Sequence, residues 1–339
     1  MGKRNRERLI LVDGHALIHR AYHAYPKNLI TKKGELVNAV YGFTANLFSI
    51  FKELQPQYVA VAFDLKGPTF RHQAFKDYKR SRVKADEDLI NQIDRVKQVV
   101  KVLNIPIFEV AGFEADDVIG TLAKQVCLKN KKQRLKIKKS EDLEIVIATG
   151  DRDALQLLEK EVKVFFPSRG RIPACLVGEE DFRKQYGFEP GQLVDFKALA
   201  GDASDDIPGV KGIGPKKATK IIKQFQSIKN LYRQLNQSQN LDIMASELGL
   251  SKKDVEKLKN SQKQAKLSEH LATIVTNVPI RLRLNDCRLT DYNKDKAVKL
   301  FQDLEFRTLI NRLPGEKEKE LETDQSLAEK PKKQQMKLF

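Results

Sequence analysis

Nine carboxylates fall at the ends of apolar runs or in the breaks that follow them. Asp13 closes LILVD, Asp64 closes VAVAFD, and Asp151 and Asp153 follow IVIATG. Glu114, Asp116 and Asp117 lie in AGFEADD, directly after IPIFEV, and Asp202 and Asp205 lie in GDASDD before a Pro/Gly break. Glu114 with Asp117, and Asp202 with Asp205, are spaced i,i+3 and can share a face. Taken singly, each acid has an ordinary explanation, because Asp is a favoured helix N-cap. Taken together that explanation fails, since clustered carboxylates repel and raise one another's pKa unless something neutralises them. Hard divalent cations are the natural neutraliser, and Mg²⁺, with Mn²⁺ as a substitute, suits carboxylates that share a site with phosphate. Two such ions roughly 4 Å apart clamp an in-line phosphodiester hydrolysis, one activating water and one holding the leaving oxygen.

For these acids to meet, the elements before them must end at one edge. The first half of the chain alternates short β-rich runs (Leu9–Val12, Tyr58–Phe63, Ile105–Val110, Glu144–Ala148, Val162–Phe166) with helical periodicity at Asn38–Leu54, Leu89–Leu103 and Ala115–Val126. Near-continuous apolar strands alternating with helices predict an α/β fold, a mostly parallel sheet covered on both faces. Parallel strands deliver their C-terminal ends to one rim, where such folds bind ligands. Beyond Phe182 helical segments dominate: Leu193–Ala200, Lys216–Phe225, Lys252–Lys263 and Asp295–Phe301. The long polar connection Lys66–Asp88 reads as functional or mobile. Lys129–Lys139 reads as a solvated basic loop, and the segment after Pro314 as a disordered tail.

The chain has 339 residues and a net charge of +17, enough for about two domains with a buried core. Its 41% hydrophobic and 32% charged residues exclude a fully disordered chain. No run approaches the roughly 18 apolar residues of a membrane span, and the basic N-terminus lacks a signal-peptide core. Three dispersed cysteines make neither a disulfide framework nor a zinc site, which predicts a cytoplasmic protein. Such a positive excess calls for a polyanionic partner, with nucleic acid ahead of membrane.

The runs LVDG, FDLKGPTFRHQAFKDYKRSR, GFEADD, TGDRDALQL and GDASDDIPGVKGIGPKKA closely resemble the bacterial 5′-nucleases of the flap endonuclease superfamily. These include the N-terminal 5′→3′ exonuclease domain of DNA polymerase I and its stand-alone forms, and the likeness spans residues 8–310 in family order. It implies a PIN-like α/β core over residues 1–182 with a helical arch at about 66–88, and a helical DNA-binding region over 183–313 with a helix-three-turn-helix at about 195–226. It also implies that all nine acids serve the metal site, with two or more Mg²⁺ ions. From the arch, Lys79 and Arg82 are expected at the scissile phosphate and Tyr78 on a base, with Phe70 and Arg71 as further family matches. A fixed cation beside developing phosphate charge, and an aromatic face for unpaired bases, make physical sense there. The family's Pro-rich stretch after Arg82 is replaced here by VKADED, and its commoner Asn by Asp206.

The run Gly209–Lys217 reads as a tight Gly turn opening a helix with Pro215 first, whose free N–H groups, with Gly212, Gly214, Lys216 and Lys217, cradle backbone phosphate. The resemblance adds a K⁺ ion on the turn carbonyls. His15, His19 and His23 recur every four residues and read as polar packing beside the site, while Arg20 matches a family Arg that contacts phosphate. The chain ends Gln335-Met336-Lys337-Leu338-Phe339, which resembles the short peptide by which bacterial repair proteins bind the sliding clamp.

These readings converge on a monomeric, nucleoid-associated, metal-dependent 5′→3′ exonuclease and flap endonuclease that removes RNA primers and 5′ flaps in replication and repair. Two rivals share part of the pattern. A PIN-type ribonuclease needs the acidic rim but neither arch nor Gly turn, and a non-catalytic clamp-recruited DNA scaffold needs only the charge and the tail.

Overall fold

The runs Leu9–Val12, Tyr58–Ala62 and Glu144–Ala148 form strands buried on both faces, as a parallel sheet between helices requires. A computed structural model describes residues 7–136, 143–238, 240–289 and 291–314. Strands β1 (Arg8–Asp13), β2 (Tyr58–Ala62), β3 (Ile107–Phe108), β4 (Glu144–Ala148), β5 (Val162–Phe166) and β6 (Cys175–Val177) make one sheet in the order β3-β2-β1-β4-β5-β6. All neighbours are parallel except β5 and β6. The chain winds outward from β1 to β3 and then returns to β4 on the other side of β1. The order therefore reverses between β1 and β4, where open α/β sheets form their crevice.

Successive strand residues point to opposite faces, and two cores result. Ile10, Val12, Val59, Val61, Val146 and Ala148 pack against helices α1 (Gly14–Ala24), α2 (Asn38–Leu54) and, beyond the short α3 (Phe70–Ala74), α4 (Glu87–Val102). Leu9, Leu11, Ala60, Ile145 and Ile147 face α5 (Ala115–Lys136), and this core runs on without a break into the later helices. Those are α6 (Glu179–Tyr186), α7 (Leu193–Ala200), α8 (Pro215–Phe225), α9 (Ile228–Gln237), α10 (Leu241–Leu248), α11 (Lys252–Asn260) and α12 (Gln262–Ala272). The final helices α13 (Lys294–Asp303) and α14 (Arg307–Ile310) return to the first core, with Phe301, Phe306 and Leu309 buried in it.

Several expectations are corrected. Residue 182 is no boundary: Phe182 is buried inside α6, and the helix stops at Gly187, whose φ of 74° provides the left-handed cap. Residues 294–313 cover the α/β sheet rather than joining the helical region. The basic run from Lys129 continues α5 to Lys136 instead of looping, since Lys, Gln, Arg and Leu are good helix formers. Within the connection 66–88, only α3 is helical before α4 begins at Glu87, and residues 76–82 fold as successive turns. No described helix is long and apolar enough to cross a membrane. The tail residues Gln335, Met336, Leu338 and Phe339 lie outside the described residues.

Candidate active site

The acids meet at the C-terminal rim of the sheet, in three groups. The first sits on the switch point. Asp13 ends β1 and caps α1, its Oδ1 accepting the Ala16 N–H at 2.9 Å and its Oδ2 the Thr149 hydroxyl at 2.8 Å. Asp64, two residues past β2, accepts the Ala115 N–H at 2.6 Å, and its own N–H donates to His15 Nδ1 at 2.9 Å. Asp116 stands in the first turn of α5, and Asp151 caps the short 3₁₀ helix Arg152–Leu157. Asp13, Asp116, Asp151 and Thr149 line a cavity of about 10 Å³, close to the space one water-sized species needs. Among the described residues, none of Asp13, Asp64, Asp116 and Asp151 has a lysine or arginine at ion-pair distance. Burial, against its two hydrogen bonds, pushes the Asp13 carboxyl up to about 6, and burial with neighbouring Asp117 raises Asp116 well above the usual range.

The second group is held by Lys197. Its ammonium bonds Asp153 and lies 2.5 Å from Asp202 Oδ2. Burial works against the lysine charge, but the two acids hold it raised. Burial also pushes Asp153 up to about 6 despite Lys197, whereas Asp202, further bonded by Ser204, stays below the usual carboxylate range. The third group is Glu114 and Asp205. Lys79 Nζ lies 2.7 Å from Glu114 Oε2 and 3.8 Å from Asp205 Oδ2, and Arg82 bonds Asp205 Oδ1. Both cations are raised against the cost of burial by these partners. The expectation that only metal neutralises the rim is thus too simple: side-chain cations already serve Glu114, Asp153, Asp202 and Asp205.

Three expected roles change. Asp117 is fully buried, and its oxygens already accept both Arg71 terminal nitrogens at 2.8 Å, the Val275 N–H at 2.9 Å and the Glu114 N–H at 3.1 Å. No acceptor position is left for an ion. Arg71, only 1% exposed, is an internal brace that also donates to Leu271 O and Thr273 O, so it cannot reach DNA. Tyr78 is buried against Ile207, Leu271 and Ala272, its hydroxyl 3.2 Å from Glu114, so its ring is not free to stack on a base. Phe70 is half-buried and packs on Phe113, His270 and the Arg71 guanidinium.

A cleft of about 1330 Å³ opens beside the rim. Asp151, Asp153, Asp202 and Lys197 line it, with Arg82, Arg20 and Arg169. Arg20 is steadied by the Pro167 carbonyl at 3.0 Å. Burial lowers the pKa of both His15 and His19, favouring neutral rings that pack beside Asp64. In the helical region, the 201–214 turns join α7 to α8. Gly209, with φ +60°, lies so close to Gly201 that a Cβ would fall 2.3 Å from its nitrogen. Gly212 also has φ > 0, Gly214 caps α8, and Lys216 is exposed at its start. Lys217 bonds Gly212 O at 3.2 Å and Asp254 at 2.8 Å.

Sequence reasoning missed Lys197, Thr149, Ser81 and Asp254. Lys197 had a signal: it is the one cation in the otherwise apolar and acidic run LVDFKALA. Elsewhere, Cys127, Glu159 and Glu161 are the one set among the described residues whose ligand atoms all lie within 4.8 Å of one another. No three rim acids approach so closely in this conformation.

A family model of the 5′-3′ exonuclease N-terminal resolvase-like domain matches residues 8–187, and one of the 5′-3′ exonuclease C-terminal SAM fold matches residues 188–295. The chain is 40% identical over 315 residues to DNA polymerase I of Chloroflexus aurantiacus, covering 91% of this chain and 31% of that protein. It is 36% identical over 322 residues to DNA polymerase I of Bacillus subtilis, covering 95% and 34%. The chain therefore spans about a third of the length of these curated relatives. Its fold is similar to that of the T5 D15 protein co-crystallized with metal ions, at a TM-score of 0.60 and 19% identity, covering 88% of this chain and 99% of that one. It is also similar to human GEN1 in complex with Holliday junction DNA, at 0.53 and 16%, covering 89% and 67%.

Proposed function

This chain belongs to the 5′-3′ exonuclease family, and from that premise we propose that it is a Mg²⁺-dependent, structure-specific 5′-nuclease acting on 5′ flaps and RNA-primed ends in DNA replication and repair. One observation carries the reading. The four carboxylates without a lysine or arginine partner, Asp13, Asp64, Asp116 and Asp151, are the four at the switch point, and three of them share one small cavity. Burial raises the carboxyls of Asp13 and Asp116 with no lysine or arginine beside them, which suits a hard divalent ion. Divalent ions held there would polarise a phosphodiester and activate water.

The protein's own groups do the rest. Asp153 and Asp202 with Lys197, and Glu114 and Asp205 with Lys79 and Arg82, extend the metal-binding face, their cations releasing carboxylate as needed. Lys79 and Arg82 stand where negative charge grows on a bound phosphate and offset it. Arg20 and Arg169 line the far wall of the cleft, where they attract the strand backbone. Gly212, Gly214 and Lys216 grip duplex phosphate at the start of α8. A K⁺ ion at this turn belongs to the same reading, since Gly212 O already serves a cation, the Lys217 ammonium. A sliding-clamp contact through Gln335, Met336, Leu338 and Phe339 completes it, and is checked by binding of the tail peptide to purified clamp.

The test is cleavage of a labelled 5′-flap DNA with Mg²⁺, with EDTA, and by Asp116→Ala. Cleavage should require Mg²⁺ and vanish in the variant, while flap binding persists. Cleavage that survives EDTA, or an Asp116→Ala protein as active as the parent, sinks the proposal.

A further inference from the structure

Among the bonds that fasten the loop carrying Lys79 and Arg82 to the 202–207 turn, one side-chain pair uses neither a rim carboxylate nor a cation. Asp206 Oδ2 accepts the Ser81 N–H at 2.7 Å and the Ser81 hydroxyl at 2.8 Å. Ser81 sits between Lys79 and Arg82, and Asp206 lies 125 residues away in sequence. The turn presents Asp206 stiffly: Asp202 N–H donates to Ile207 O at 2.8 Å, and Ile207 N–H returns to Asp202 O at 2.9 Å. Asp206 and Lys79 both have φ +55°, in the left-handed region. Non-glycine residues stay there only where their surroundings over-determine them.

The other side-chain bonds holding the loop are of a different kind. Lys79 and Tyr78 reach Glu114 and Asp205, and Arg82 reaches Asp205. Each depends on a rim carboxylate or on a cation needed for phosphate, so each would be given up if bound cations and substrate took those groups. The Ser81–Asp206 pair uses neither and survives that exchange, together with the backbone bond from Lys79 N–H to Asp205 O at 3.0 Å.

Resting on the nuclease reading above, we propose that Asp206 is a positioning residue that acts through Ser81. It keeps Lys79 and Arg82 within reach of the scissile phosphate while their carboxylate partners are exchanged for substrate. Because the same turn leads into α8, the clamp also registers these cations against the element that holds the duplex.

Asp206→Gly removes the acceptor without left-handed strain, and Asp206→Asn keeps an acceptor oxygen in place. Amide hydrogen exchange at residues 78–82 of the full chain without DNA reads the clamp itself. Exchange should be faster in Asp206→Gly and stay slow in Asp206→Asn. Single-turnover cleavage of a 5′ flap at saturating enzyme reads its use: roughly a tenfold loss in Asp206→Gly, as expected for misplaced catalytic groups. Asp206→Asn should recover most of that loss, and flap affinity in Ca²⁺ should not move. In a background lacking both Lys79 and Arg82 side chains, Asp206→Gly should cost nothing further. Equal exchange in parent and Asp206→Gly overturns the clamp, and a full loss in the cation-free background overturns the positioning role. A parent chain that cleaves no flap would instead sink the nuclease reading, and the exchange result would still decide the clamp.

Discussion

Arg71→Met separates an internal brace from a DNA contact. The guanidinium is 1% exposed and Asp117 is not exposed at all. The substitution deletes two 2.8 Å bonds to the carboxylate and those to Leu271 O and Thr273 O, at 2.9 and 2.8 Å. It leaves Asp117 buried with only backbone N–H donors. Removing one partner of a buried pair costs about 3–5 kcal/mol, because the remaining charge is uncompensated. A folded unit of about 300 residues unfolds with an entropy of roughly 0.6 kcal/mol/K, so Tm should fall by about 5–8 °C. Arg71→Met with Asp117→Leu should recover most of this, since an apolar pair of similar volume needs no charge balance. The assays are thermal melting and the salt dependence of flap binding. Because no phosphate contact is lost, the slope of log Kd against log salt should not change. A variant that melts like the parent, or one with a shallower salt slope at unchanged Tm, refutes the brace.

The raised carboxyl of Asp13 makes stability depend on pH. A folded-state pKa near 6, against the usual 3.8, means that the folded chain holds this proton more tightly. Its contribution is full below 3.8 and is lost as pH rises toward 6. In EDTA the urea midpoint should therefore fall across that window, Asp13→Asn should flatten the fall, and Mg²⁺ should raise the midpoint at neutral pH; a flat parent profile counts against it. Gly209→Ala puts a methyl against the Gly201 backbone at φ +60°, and should cost roughly 2–5 kcal/mol, read by urea unfolding; a change within error would contradict the close approach. Lys216→Ala should weaken duplex binding and reduce the salt slope by about 1, while Lys217→Ala should do less because Asp254 already pairs that charge. Equal slopes for the two variants would remove the distinction.

The self-neutralised parts of the rim explain how so many acids coexist before any ion arrives. Lys79, Arg82 and Lys197 pair with rim acids that the proposed function gives to metal, whereas Arg71 pairs with the fully enclosed Asp117. The difference follows from exposure: Arg82 and Lys197 line the cleft and Lys79 is partly exposed, whereas Arg71 is enclosed.

Local pattern alone was enough to place the helices Asn38–Leu54 and Leu193–Ala200 to the residue, the four longer parallel strands, and an acid at the end of each that meets the switch point. These features repeat over two to four residues, so neighbouring side chains suffice to reveal them. The short antiparallel β6, the return of α13 and α14 to the sheet, and the folding of the 76–82 turns onto the rim left no such trace. The partners of the acids were equally hidden. Arg71 meets Asp117 across 46 residues and Lys197 meets Asp153 across 44, and no periodicity links them. Residue type told which groups can carry charge; only tertiary packing decided which charges already have a side-chain partner and which stand without one, because that balance depends on distance and burial rather than on position along the chain.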